Sequence, residues 1–346
     1  MQSLFILFLI NIFLHFSSAN AECTLFELEK FGRHSGVMNV DGNGDTGFAS
    51  IAEAILSVPH KNHRWTFIKL QPGTYREKVV VPKDKRCIIL LGSGVDSTII
   101  TANVGAGNLR NATFSVLADY FVASGITFQN EYNVALPDQI TNPVVKQAVA
   151  MEIFGDKSSF HNCSFVGYQD TLWDAKGRHY FKECKISGAI DFIFGQGQSL
   201  YEGCVIEVNS EINRTRPGYL TAQGREGAND TNGFVFKNCS IEGYQTAYLG
   251  RAWRPYSRVL FFESYLSEVV APEGWLAWAQ ANHTELITFA ERGNYGPGSF
   301  MDRRVEWEKN LTDSEITAMT CRSFVDEDGW VEFQELLLQW PFGALS

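Results

Sequence analysis

Four short stretches of this chain share one frame: Phe160-His-Asn-Cys163-Ser-Phe165, Phe181-Lys-Glu-Cys184-Lys-Ile186, Tyr201-Glu-Gly-Cys204-Val-Ile206 and Phe236-Lys-Asn-Cys239-Ser-Ile241. Each sets an aromatic three residues before the cysteine and a large apolar residue two after it. Phe121-x-x-Ser124-x-Ile126 and Phe261-x-x-Ser264-x-Leu266 have the same shape with serine in the cysteine position. Successive units start 39, 21, 20, 35 and 25 residues apart. A unit of about 20 residues with variable insertions is the mark of stacked coils in a solenoid. Within each unit, Val, Ile, Phe and Tyr form short β-like runs between Gly and Asn punctuation. The helical windows that a doubly wound α/β sheet needs are missing. An antiparallel sandwich is the competing all-β arrangement. The recurring frame favours a parallel β-helix, in which aromatic, cysteine and aliphatic each stack on their own kind. The cysteine row either stays reduced or forms one or two bridges; spacing does not decide which.

A coiled stack has two open ends that must be covered. Phe48 to Leu56, with Ile51, Ala54 and Ile55 on one face and Pro59 beyond, reads as a short N-terminal capping helix. Residues 311–340 read as the C-terminal cap, with Thr312 as N-cap and Glu315 three residues on.

Leu4 to Phe16 is almost wholly apolar, too short to span a bilayer, and is followed by Ala19-Asn20-Ala21. That pattern predicts a signal peptide over 1–21, a secreted mature chain of 22–346 and no membrane span. Seven sequons then become glycan acceptors: Asn111, Asn162, Asn213, Asn229, Asn238, Asn282 and Asn310. The 346 residues carry 29 Lys plus Arg against 39 Asp plus Glu, a formal net charge of -10. This argues against a nucleic-acid partner held by phosphate neutralisation. Residues 302–335 alone hold ten acids and four bases, so the acidity is largely C-terminal.

Several motifs carry little. Gly42-x-Gly44-x-x-Gly47 matches a dinucleotide fingerprint but has no βαβ series after it. Asp41-Gly-Asn43-Gly-Asp45 starts like a calcium loop, yet Thr46 and Ala52 stand at its sixth and twelfth positions. No C-x-x-C, H-E-x-x-H or G-x-S-x-G is present, which disfavours a zinc site or an ordinary serine esterase. No metal and no cofactor are expected.

Chemistry concentrates elsewhere. Asp191 is a lone carboxylate among Ile190, Phe192, Ile193 and Phe194. Burying it unpaired would cost several kcal/mol, so it must be partnered or face a groove. Asp170 lies 21 residues earlier, about one coil, and Gln147 lies 22 and 23 before Gln169 and Asp170. On a solenoid these four share one face. Asp191 then suits a nucleophile, Asp170 a general acid and base, and the Gln147 and Gln169 amides an oxyanion hole; one such donor is worth about 2.7–4 kcal/mol of barrier. Turn-forming and ladder bonding are the structural alternative for the same residues. Arg251 and Trp253, in Leu249-Gly-Arg-Ala-Trp253, suit a carbohydrate groove, and Arg251 can pair with Asp191.

Gly73-Thr-Tyr75-Arg-Glu77, Gln147-Ala-Val-Ala150, Gly167-Tyr-Gln-Asp-Thr-Leu172, Asp191-Phe-Ile-Phe-Gly195 and Leu249-Gly-Arg-Ala-Trp253 together resemble the pectin methylesterases of plants and their microbes. The motifs keep the family's order over about residues 35–335. The resemblance implies a right-handed, single-stranded, pectin-lyase-like parallel β-helix with short capping helices. It implies an aspartyl esterase that removes methyl esters from cell-wall homogalacturonan, releasing methanol. Carried over by motif, Asp191 is the nucleophile, Asp170 the acid and base, and Gln147 and Gln169 the oxyanion hole. Arg251 holds Asp191, while Gln147, Arg251, Trp253 and Thr113 contact substrate. It further implies pectin and a proteinaceous pectinesterase inhibitor as partners, a monomer, an extracellular cell-wall location, and the type that lacks an N-terminal inhibitor-like prodomain. Ala252 stands where many relatives have Pro, a change expected to loosen the turn presenting Arg251 and Trp253. Two other readings keep the fold: backbone cleavage of pectin by a hydrolase or lyase, with Asp170 and Asp191 as the paired carboxylates, and a non-catalytic pectin-binding wall protein.

Overall fold

In the computed structural model, which describes residues 23, 37–45, 47–105, 111–132, 145–209 and 217–339, the residue before each ladder cysteine turns the chain. Asn162, Glu183 and Asn238, and likewise Glu263 before Ser264, have φ between 48° and 53°, and Gly203 has 64°. This left-handed backbone folds one strand sharply into the next. Each amide there donates to a carbonyl one coil on, as from Asn162 to Lys182 at 3.0 Å and from Glu183 to Glu202 at 2.9 Å. The corner therefore repeats, and with it the coil.

Three parallel sheets of ten, eight and eight strands result; the first two strands pair with each other, and every later partner is the third strand along the chain. This is a right-handed parallel β-helix. The aromatic row is stacked face to face: Phe160–Phe181 at 5.1 Å, Phe181–Tyr201 at 4.4 Å, Tyr201–Phe236 at 4.6 Å and Phe236–Phe261 at 4.5 Å between centroids. Phe165, Ile186, Ile206, Ile241 and Leu266 pair in register as the aliphatic row. Cys163, Cys184, Cys204 and Cys239 are buried free thiols, so the row is reduced and packs as an apolar stripe. Cys321 is free and exposed, and Cys23 is bonded to Cys87.

The Phe121 unit is out of register with the others. Phe160 pairs with Ala123, Phe165 pairs with Phe128, and Gly125 makes the corner at φ 66°. Phe121 thus stands two residues ahead of the aromatic row. A two-residue shift keeps the inward face, so Phe121 is still buried and meets Phe160 at 5.9 Å.

Helix α1 (Ile51–Ser57) covers the N-terminal end, with Ile51, Ala54 and Ile55 buried in the main core and the Ser50 hydroxyl capping the Glu53 amide. Helix α2 (Asp313–Thr320) has the expected capping box between Thr312 and Glu315. Yet α2 and α3 (Trp330–Leu338) do not cap the C-terminal end. Ile316, Met319, Trp330 and Val331 pack on Tyr180, Leu200, Val235 and Leu260, the outward side chains of the ten-stranded sheet. Gln334 is locked there, accepting from Ser159 and donating to the Lys157 carbonyl. Val305 and Trp307 pack against the main core instead, Trp307 lying 6.1 Å from Phe289 of the last long strand. The expected signal peptide and Asn213 lie outside the described residues. Among the described residues no helix is long and apolar enough to cross a membrane.

Candidate active site

One eight-stranded sheet presents an outward row of Val80, Ser115, Glu152, Trp173, Phe194 and Ala222, paired in register. Their neighbours Val79, Phe114, Met151, Leu172 and Ile193 point into the core. Just before these strands, three successive coils bring distant residues together. The Ala148 amide donates to the Gln169 carbonyl at 3.1 Å, and the Asp170 amide donates to the Ile190 carbonyl at 3.0 Å. Gln147, Gln169, Asp170 and Asp191 are thereby gathered in one place, as their spacing predicts.

The backbone at both carboxylates is unusual. Asp170 and Asp191 have φ of 60° and 48°, conformations that non-glycine residues adopt rarely and at a cost. Asp191 also lies in a bulge: Ile190 pairs with Tyr219 and Ile193 with Thr221, three steps against two. Bulges re-aim side chains beside functional sites. Gly188 is required here, because a Cβ on it would stand 2.3 Å from that of Phe192.

Arg251, at the end of the strand Ala247–Arg251, grips Asp191 with two hydrogen bonds. Its Nε donates to Oδ1 at 2.7 Å and its Nη2 donates to Oδ2. Two rings sandwich the guanidinium: Tyr219 at 4.1 Å and Trp278 at 3.8 Å from centroid to Cζ. Neither aromatic was singled out from the sequence. Trp278 follows Arg251 by about one coil, but its insertion-rich surroundings hide that relation. It too is strained, with φ 52°, and the residue is 44% exposed.

The two carboxylates differ in environment. Asp170 is 3% exposed; burial, reinforced by the negative charge of Asp191, pushes its pKa up to about 8, against a hydrogen bond from Gln147 and the more distant Arg251 charge. Asp191 is also raised by burial, but Arg251 offsets this by direct hydrogen bonding and charge. At neutral pH Asp170 therefore keeps its proton, while the Arg251 fork works against burial and favours the charged form of Asp191. Gln147 is exposed and Gln169 partly so, leaving both carboxamides able to meet a ligand.

Beside the carboxylates runs an apolar strip. Ala112, Val149, Phe194 and Ala222 form it, with Trp173 and Trp253 packed against them. Trp173 stacks on Phe194 at 5.6 Å and Trp253 meets Phe194 edge-on at 6.2 Å. Ala252 is tied rather than loosened: its amide, which a proline would lack, donates to the Leu276 carbonyl at 3.1 Å. Thr113 is fully buried and its hydroxyl donates to the Gln129 carbonyl at 2.9 Å; it is not brought to the surface with the others. Among the described residues no three His, Cys, Asp or Glu gather as a metal site.

The profile of the pectinesterase family matches residues 37–328. Probable pectinesterase 55 of Arabidopsis thaliana is 47% identical over 294 residues, covering 85% of this chain and 89% of that protein. Probable pectinesterase 29 of the same plant is 45% identical over 309 residues, covering 89% and 92%. Among solved structures, pectin methylesterase from carrot superposes with a TM-score of 0.80 at 30% identity, covering 88% of this chain and 97% of the carrot chain.

Proposed function

The chain belongs to the pectinesterase family, and on that premise we propose that it hydrolyses methyl esters of homogalacturonan to methanol and pectate. The Arg251-bound Asp191 carboxylate attacks the ester carbonyl carbon. The Gln147 and Gln169 carboxamides donate to the oxyanion. The carbon–methoxy bond breaks, and Asp170 gives its proton to the departing oxygen, forming methanol and an acyl-Asp191 anhydride. Asp170, now a carboxylate, takes a proton from water as the hydroxyl oxygen attacks the acyl carbon. Asp191 is released, and the new uronic acid ionises. The carrying observation is the split pair: Asp170 raised to about 8 beside an Asp191 held by Arg251. One group is thus charged to attack while the other is protonated to give. Trp253 and the strip beside it offer apolar surface to sugar rings, and Tyr219 with Trp278 keeps Arg251 in place. We further propose secretion to the cell wall after removal of residues 1–21, and modification of pectin there; the pectinesterase inhibitor and the monomeric state belong to the same proposal.

Asp191→Asn tests the assignment. Methanol release from methylated pectin should vanish while the circular dichroism spectrum and melting curve stay those of a folded β-helix. Turnover near the wild-type rate would exclude Asp191 as nucleophile. Measuring polymer length in the same digest separates this reaction from backbone cleavage, since de-esterification leaves it unchanged.

A further inference from the structure

Trp278 stacks on Arg251, yet no residue of its short helical turn, Trp278–Gln280, is buried. Burial therefore does not hold this ring in place; its backbone must. That backbone arrives through segment 271–277. On one side the segment is laced to the strand that ends in Arg251. Trp275 pairs with Gly250 and Leu276 with Arg251, and the Leu249 amide donates to the Gly274 carbonyl at 2.8 Å.

On the other side Arg304 grips it. Nη1 of Arg304 donates to the Pro272 carbonyl at 3.0 Å and to the Ala271 carbonyl at 3.4 Å. Nη2 donates to the Gly298 carbonyl at 2.6 Å and to Glu291 Oε2 at 3.2 Å, and Nε donates to Glu291 Oε1 at 2.6 Å. These are five hydrogen bonds, as many as a guanidinium has N–H groups. The side chains of Arg304 and Glu291 are only 4% and 2% exposed. The next amide, of Val305, donates to the Glu273 carbonyl at 3.1 Å. Gly274 completes the fit: it has φ 70°, and a Cβ on it would stand 2.5 Å from Arg304 Cδ.

Desolvation makes a buried ion pair a poor source of stability. What this one supplies is a fixed place, since a single planar fork ties segment 271–277 to Glu291 and Gly298. Resting on the esterase reading above, we propose that Arg304 is a positioning residue for the reaction: it sets segment 271–277, hence the seat of Trp278 on Arg251, hence the orientation of Asp191. It acts only through these neighbours, away from the bonds that change.

Arg304→Lys tests this. Lysine keeps a charge for Glu291, but its three donors sit on one atom and cannot reach all five acceptors. For methanol release, kcat should fall about tenfold with KM within about twofold. The acid limb of the pH–rate profile should move to higher pH, because a looser Arg251 favours the Asp191 anion less. In a Trp278→Ala background the same substitution should lower kcat by less than about twofold, since the ring through which Arg304 acts is gone. Losses that multiply, or an unchanged kcat in Arg304→Lys, would overturn the proposal. Should Arg304→Lys misfold, Arg304→Met/Glu291→Gln removes both buried charges together and gives the same readouts. Fluorine NMR of protein carrying 5-fluorotryptophan reads the grip without turnover. The resonance missing from Trp278→Phe belongs to Trp278, and it should shift in Arg304→Lys; an unmoved resonance would equally overturn the proposal. Absence of methanol release by wild type sinks the esterase reading instead, and the fluorine resonance then still decides whether Arg304 seats Trp278.

Discussion

Arg251 and Asp191 lie 60 residues apart in sequence, yet the guanidinium engages both carboxylate oxygens of Asp191, with Nε 2.7 Å from Oδ1. A planar fork is the group that meets a carboxylate in this way, and it fixes the orientation of the anion as well as its charge.

Arg251→Lys should therefore retain the charge and lose the fork. We expect kcat to fall about a hundredfold, equivalent to about 2.7 kcal/mol, with a much smaller change in KM. Steady-state methanol release checks this; a variant with unchanged kcat would show that orientation of Asp191 is not what the arginine supplies.

Trp278 stacks on the same guanidinium at 3.8 Å. Removing one such face costs about 0.5–2 kcal/mol, so Trp278→Ala should lower kcat roughly two- to thirtyfold, and Trp278→Phe should recover part of it. A looser Arg251 would also hold the Asp191 anion less well, moving the acid limb of the pH–rate profile to higher pH. An unmoved limb would reduce Trp278 to a packing role.

The raised Asp170 makes two pH predictions. In turnover, kcat/KM should decline as pH rises through about 8, because the proton that Asp170 gives to methoxide is then lost. In stability, the ordinary value is 3.8 and the folded value about 8, so between these the folded protein keeps a proton that the unfolded chain has released. The resulting stabilisation is full below the lower value and is lost as pH rises through the upper one. Asp170→Asn should flatten that decline. Glu308, raised to about 8 by burial and by Glu291, titrates in the same window, so the slope should shrink without disappearing. The pH–rate profile of methanol release measures the first and melting temperatures from pH 4 to 9 the second; an equal melting slope in the variant would refute the Asp170 shift.

Phe181 sits between Phe160 and Tyr201 at 5.1 and 4.4 Å with nearly parallel rings, and is fully buried. Phe181→Ala should cost about 3–5 kcal/mol in denaturant unfolding, while the folded fraction keeps its specific activity. A loss below 1 kcal/mol would mean that the row tolerates a gap.

The cysteine frame made the coil legible because a parallel stack turns a repeat in sequence into a neighbour in space. The same logic grouped Asp191, Asp170, Gln169 and Gln147. It failed where the repeat was irregular. At Phe121 the corner glycine falls two residues late. The capping-box signal correctly started α2, but nothing local told whether that helix would close an end or lie across a sheet; the apolar outer row of Tyr180, Leu200, Val235 and Leu260 decided it. Thr113 belonged to an expected contact set, and the fold uses its hydroxyl internally.

Sequence alone thus determined the winding, the stacked rows and the meeting of two acids with two carboxamides, since each depends only on residues one coil apart. Tertiary structure decided the rings that enclose Arg251 and the proton on Asp170. Those depend on burial and on insertions of unequal length, which set distances that no local spacing encodes.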